Sequence, residues 1–194
     1  MSAASLRVLS GAGAVLIGLG LWQGGEAAYI EAKAWLAQGL LERSWRETLG
    51  GARQVKPWPW ADTWPVARLA VPDLGLARIV LAGASGRTLA FGPAHLPGTA
   101  EAGAPGHAVL TGHRDTHFQF LRELAPGMAL SVQRPDGAWR SYRVTGSEVL
   151  DARRARLAEA PGEAVLTLVT CYPFDAVVPG GPLRYAVYAR AAPD

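Results

Sequence analysis

Cys171 closes an apolar run, Val165-Leu166-Thr167-Leu168-Val169-Thr170-Cys171, and is the only cysteine in the chain. A lone thiol makes no internal disulfide; it is either an inert, buried small hydrophobe or a group kept for chemistry. Two other segments favour chemistry. Thr111-Gly112-His113-Arg114-Asp115 ends a second apolar run with a histidine, and Arg184, in Gly181-Pro182-Leu183-Arg184-Tyr185, enters a third. Only the thiolate is a competent nucleophile, and an imidazolium beside it stabilises that form. The same imidazole can protonate a departing amine. An arginine adds a permanent charge and a planar fork where a carbonyl oxygen becomes negative. Cys171, His113 and Arg184, each at a strand end, are the parts of a thiol acyl-transfer site.

The other polar residues near these motifs have plainer readings. His117 falls in a turn beside Phe118 and reads as a partly exposed loop histidine. His107 opens a strand after Pro105-Gly106 and reads as structural, and His95 in its Gly/Pro-rich loop is structural or a rim contact. Asp115 either orients His113 as a triad acid would, or caps the turn, or pairs with Arg114. The histidines lack the clustered spacing of a zinc site, and Asp73, Glu101 and Asp136 are scattered, so no metal is expected. Gly83-Ala84-Ser85-Gly86 lacks the lysine of a phosphate-cradling loop. No cofactor is expected either.

The elements that must carry these groups are short strands. Alternation and β-branched runs predict strands at 66–71, 77–82, 108–112, 129–133, 139–144, 147–150, 164–170 and 184–189. Pro135-Asp136-Gly137 marks a hairpin turn, and residues 118–124 suit a helical turn. Many short strands of this kind predict an all-β domain closed into a barrel, since closure removes exposed sheet edges. Upstream, Tyr29, Lys33, Leu36, Leu40, Leu41, Trp45 and Leu49 have helical spacing, ended by Gly50-Gly51. This amphipathic helix either packs on the domain or lies on a membrane. Pro57-Trp58-Pro59-Trp60 and Trp64-Pro65 then read as an extended linker, its tryptophans covering the barrel or meeting an interface. The apolar stretch from Val8 to Trp22 is short for a span and reads as a signal-peptide core or, preferably, an uncleaved signal-anchor. The expected organisation is a membrane segment over 1–25, an amphipathic helix and linker over 26–65, and a catalytic barrel over 66–194.

At 194 residues and 49% apolar, the chain suffices for one barrel core and an appended segment. The net charge of +3 is small, arises almost wholly from arginine (Lys33 and Lys56 are the only lysines), and forms no long basic run. Nucleic acid is therefore not an expected partner.

The motifs Thr167-Leu168-Val169-Thr170-Cys171 and Thr111-Gly112-His113-Arg114 resemble those of the sortase family, and Arg184 falls at that family's usual distance after the cysteine. Segments 66–72 and 89–99 are similar to the family's first strand and to the stretch before its histidine strand. The wording Gly112-His113-Arg114-Asp115-Thr116-His117-Phe118, with Cys171-Tyr172-Pro173-Phe174, is similar to a Gram-negative, proteobacterial branch. The resemblance covers roughly residues 55 to 192. It implies an eight-stranded β-barrel and a cysteine transpeptidase with Cys171, His113 and Arg184 as catalytic residues, and Thr170 orienting the site through its hydroxyl. It also implies a partner protein with a C-terminal LPXTG-like sorting signal and an amine acceptor. By the same resemblance the protein would sit in the cytoplasmic (inner) membrane by a single pass, with its catalytic domain on the periplasmic side. The alternatives are a non-enzymatic tethered barrel that binds envelope peptide or polymer, and a plain cysteine peptidase using water as acceptor.

Overall fold

A computed structural model describes residues 3–156, 162–178 and 180–192, with the side chains of 3–15 and 27 outside that description. The chain divides into two compact units, Met1–Gly39 and Leu40–Asp194.

The first long element, α1, is one continuous helix, Ala3–Leu49. It therefore joins the expected membrane segment and the expected amphipathic helix without a break at Gly24-Gly25. Its end follows the glycine signal. Gly51 takes a φ of 95°, and the amides of Gly50, Gly51 and Ala52 bond back to the carbonyls of Arg46, Thr48 and Glu47.

The expectation of a single-pass inner-membrane protein is corrected here. Among the described residues, no helix is long and apolar enough to cross a membrane. The reason is length and composition. A helix rises about 1.5 Å per residue, so Val8 to Trp22 reaches roughly 22 Å, against the roughly 30 Å of a hydrocarbon core. Gly24-Gly25 and then Glu26, Glu31 and Lys33 follow it directly. Residues 1 and 2 of the expected 1–25 segment, and the side chains of 3–15, lie outside the described residues.

The second unit is the expected closed barrel of eight strands, in the order β1-β2-β3-β4-β7-β8-β6-β5. The strands are β1 Pro65–Val71, β2 Leu76–Ala82, β3 Ala94–His95, β4 Gly106–Thr111, β5 Ala129–Gln133, β6 Trp139–Asp151, β7 Ala164–Cys171 and β8 Leu183–Ala191. Most pairs are antiparallel, but β2–β3 and β4–β7 are parallel. The strand set differs from expectation at two places that cancel in the count. Segments 139–144 and 147–150 are one strand, β6, with a register shift between Val144 and Gly146 where it runs along β8. The bulge breaks the alternation that sequence reading relies on. β3 is two residues long, too short to carry any alternation, and it bridges β2 to β4.

Alternate side chains fill the barrel. Leu69 and Val71 of β1, Ala108 and Leu110 of β4, Leu166 and Leu168 of β7, and Val187 and Ala189 of β8 meet with Phe118, Leu121 and Tyr142 in one buried cluster. A smaller cluster joins Leu41 and Trp45, from the last turns of α1, to Ile79, Leu81 and Ala94 on β2 and β3. Trp45 Nε1 also reaches Gln133 Oε1 of β5 at 3.4 Å, and Arg68 of β1 pairs with Glu42. Residues 40–49 are thus part of the barrel unit.

Trp45 is fully buried, and truncating a buried aromatic costs about 3–5 kcal/mol. Trp45→Ala should lower the stability of the barrel by that order in urea unfolding, whereas Trp35→Ala, whose ring is exposed, should change it little.

Candidate functional site

The site is assembled by three adjacent strands. β4 and β7 run parallel, with Thr111 opposite Val169. The ladder continues one step further, where the Gly112 amide donates to the Val169 carbonyl at 3.2 Å. His113 therefore leaves β4 two residues beyond Thr111, as Cys171 stands two residues beyond Val169. β8 runs antiparallel to β7 and sets Arg184 directly across from Cys171. Parallel strands end on the same side of a sheet and an antiparallel neighbour begins there, so three distant segments meet at one end of the barrel.

Period-two alternation sorts the side chains. Leu166 and Leu168 face the core, so Thr170 shares their face while Cys171 takes the opposite one. Thr170 is buried, and its hydroxyl donates to the Gly112 carbonyl at 2.7 Å. That bond ties the residue before the cysteine to the residue before the histidine. Cys171 is half-buried and unbridged, and His113 is exposed.

The loop after His113 is shaped by Phe118. Its amide donates to the His113 carbonyl at 2.9 Å, and its buried ring lies against Gly112. A Cβ at Gly112 would come within 2.8 Å of that ring. Glycine stands here because the ring must approach the backbone, not because of an unusual φ.

Arg184 is half-buried. Its Nη1 donates to the carbonyls of Gly181 and Leu183, at 2.7 and 2.8 Å. Arg114 does not pair with Asp115 as one sequence reading allowed. Its two terminal nitrogens donate across the site, Nη1 to Pro173 at 2.8 Å and Nη2 to Ala176 at 2.5 Å. Its carbonyl partners lie 59 and 62 residues away, a separation no local pattern announces.

The remaining histidines are engaged elsewhere. His95 Nε2 donates to the Ala100 carbonyl at 2.8 Å, and His107 Nε2 is hydrogen-bonded to the Thr167 hydroxyl at 2.6 Å. His117 is half-buried with Nε2 facing the Ala90 carbonyl at 3.5 Å. Burial holds its pKa below the usual 6.5, and the charges of Arg78 and His113 act in the same direction; the Ala90 carbonyl and Asp115 oppose them. Among the described residues, no three His, Cys, Asp or Glu side chains stand close enough to hold a metal ion.

Comparison with known proteins follows this geometry. A sortase-domain family profile matches residues 69–192. The chain belongs to the sortase family. It is 28% identical over 123 residues to Sortase D of Bacillus subtilis (strain 168), and that match takes in 63% of this chain and 61% of the relative. The chain thus spans less than two thirds of that curated relative. Among solved structures, sortase C-1 from Actinomyces oris is similar at 30% identity and a TM-score of 0.60, over 67% of this chain and 74% of that one. Sortase A from Corynebacterium diphtheriae shares the fold with a TM-score of 0.62 at 22% identity, over 81% and 84% of the two chains.

Two predictions follow from the site's construction. Removing the buried Thr170 donor leaves the Gly112 carbonyl without its partner, which costs about 1–3 kcal/mol; Thr170→Val should lose that much in chemical denaturation. His117 has a depressed pKa in the folded state, so its contribution is intact above the unfolded value of 6.5 and is lost as pH falls from there through the folded pKa. His117→Gln should flatten the acid limb of stability against pH below 6.5; an unchanged limb in urea titrations would refute this.

Proposed function

We propose that the protein is a cysteine transpeptidase that cleaves an LPXTG-like sorting signal and passes the acyl fragment to an amine, with residues 66–194 as the catalytic part. The observation that supports this best is the convergence at one barrel end. Cys171 has Arg184 as its cross-strand neighbour, and the histidine segment is bonded alongside through Thr170 and Gly112.

In this reading the Cys171 thiolate attacks the threonine's own carbonyl carbon, at the peptide bond that follows the threonine of the signal. The carbon–sulfur bond forms as the carbonyl π electrons move onto oxygen. Arg184 supplies the fixed positive charge near that oxygen. As the tetrahedral intermediate collapses, the carbon–nitrogen bond breaks and the His113 imidazolium protonates the leaving amine. A thioester remains. His113, now neutral, takes a proton from the incoming amine as it attacks, and the Cys171 thiolate departs. Thr170 acts through position, holding the cysteine segment to the histidine segment. The acceptor amine and the substrate's carrier protein lie outside this chain. The wording from Gly112 to Phe118 supports the Gram-negative, proteobacterial branch of the family.

The test is mass-spectrometric product analysis of an LPXTG-like peptide with and without an added amine. A transpeptidase gives the amine adduct, and a plain peptidase gives only the acid. Cys171→Ala should abolish both products in a folded protein, and Cys171→Ser should be nearly as inactive, since a hydroxyl ionises far less. His113→Ala should fall by several orders of magnitude, while His95→Ala, His107→Ala and His117→Ala lose much less. Arg184→Ala should lose about a hundredfold to a thousandfold in single-turnover acylation, with Arg184→Lys still impaired for want of the fork. Near-parental turnover by Cys171→Ala or His113→Ala would sink the reading.

A further inference from the structure

The segment that follows Cys171 is held from outside its own strands, and the cations that hold it all come from the segment that follows His113. Arg114 donates two hydrogen bonds to main-chain carbonyls, those of Pro173 and Ala176. Arg122, in the short 3-10 turn Gln119–Glu123, lies over the ring of Phe174 at 5.9 Å. Phe174 in turn packs edge-on against Tyr185 at 5.3 Å, next to Arg184 in sequence. Tyr172 stacks on Tyr185 at 6.2 Å. A planar guanidinium can satisfy two carbonyls in fixed directions at once, which a lysine ammonium does not reproduce.

We propose that Arg114 is a positioning residue for the Cys171–His113 pair: its fork clips the main chain beyond the cysteine to the residue beside the histidine. It acts through the backbone and not on substrate. Cys171 ends β7 and His113 lies in the loop beyond β4, past the Gly112 amide that makes the last ladder bond between the two strands. Arg114 joins the two segments after the cysteine, at Pro173 and Ala176, as the Thr170 to Gly112 bond joins them before it. The loop is thereby fixed before and after the thiol. Arg122 on Phe174 gives the same loop a second, weaker hold. The proposal rests on the reading of Cys171 and His113 as the reacting pair.

The experiment compares the parent with Arg114→Ala, Arg114→Lys and Arg122→Ala, with His113→Ala as reference. The first readout is single-turnover acylation by an LPXTG-like peptide. A small displacement of reacting groups can lower a rate by about a hundredfold, so Arg114→Ala should show a loss approaching that in the acylation rate, with KM nearly unchanged. Arg114→Lys should recover only part of it, and Arg122→Ala should lose less than Arg114→Ala. The second readout is alkylation of Cys171 by iodoacetamide across pH, which needs no peptide. There Arg114→Ala should shift the profile toward that of His113→Ala, with the urea midpoint close to the parent. A folded Arg114→Ala with the parental acylation rate and the parental alkylation profile would overturn the proposal. So would a loss that appears only in KM, or one matched by an equal fall in stability with an unmoved profile. If the parent turns over no peptide, the transpeptidase reading fails, and the alkylation profiles alone then decide whether Arg114 sets the pair.

Discussion

The parallel pairing of β4 with β7 is the constraint on which the rest of the structure depends. Two parallel neighbours cannot be joined by a tight turn, so the chain must travel through the 3-10 turn, β5 and β6 before it returns. That detour separates the histidine segment from the cysteine segment by 58 residues where Thr170 bonds to Gly112. Closing so long a loop is entropically unfavourable, and the return is secured by an unbroken register from Gly106 opposite Ala164 to Thr111 opposite Val169. The barrel then closes through β1 on β5, and β8 is set between β7 and β6. The ends of β4 and β7, from which His113 and Cys171 issue, inherit their level from that one register.

Alternation gives the register its chemical meaning. Leu166, Leu168 and Thr170 lie on the face of β7 that fills the barrel, and Cys171 lies on the other. A slip of one residue between β4 and β7 would exchange the two sets. It would bring the thiol into an apolar core and turn Leu168 outward. The buried apolar side chains therefore hold the orientation of a residue on the opposite face of the strand. Thr170 belongs to both requirements. It sits on the core face, where its methyl is at home, and its hydroxyl donates to the Gly112 carbonyl just past the end of β4.

How far this was legible in the sequence depended on the range of the interaction. Strands with clean alternation and long apolar runs, such as β1, β5 and β7, can be read from periodicity alone. The barrel's closure can be inferred from their number and shortness. β6 was split because its bulge after Val144 interrupts the period while leaving the strand intact. β3 was missed because two residues carry no period at all. The helical pattern resumes at Glu26, and α1 runs through Gly24-Gly25 because a glycine pair lowers helix propensity without forbidding the helix. At the candidate site, Cys171, His113 and Arg184 stand out in the sequence as residue types at the ends of apolar runs. The hydrogen bonds from Arg114 to Pro173 and Ala176 were not, because carbonyl acceptors are common to every residue and leave no mark in a sequence.

Three arginines of the candidate site, Arg114, Arg122 and Arg184, each have a partner in the resting protein. Arg114 binds two carbonyls, Arg122 covers an aromatic ring, and Arg184 binds the carbonyls of Gly181 and Leu183. Arg184's present partners bear on the proposed reaction. A substrate carbonyl that replaced the Gly181 carbonyl would exchange one neutral acceptor for another, with little net gain in the ground state. The exchange becomes favourable only as the substrate oxygen turns anionic, since a charged acceptor forms a stronger hydrogen bond to guanidinium than a neutral one. In the proposed reaction, an arginine already satisfied by its own main chain would thus discriminate for the transition state and against mere binding, which is the condition for raising the rate of the chemical step. A lysine held by the same carbonyls would feel the same change in charge, but without a fixed fork it could not offer the second N–H in a set direction.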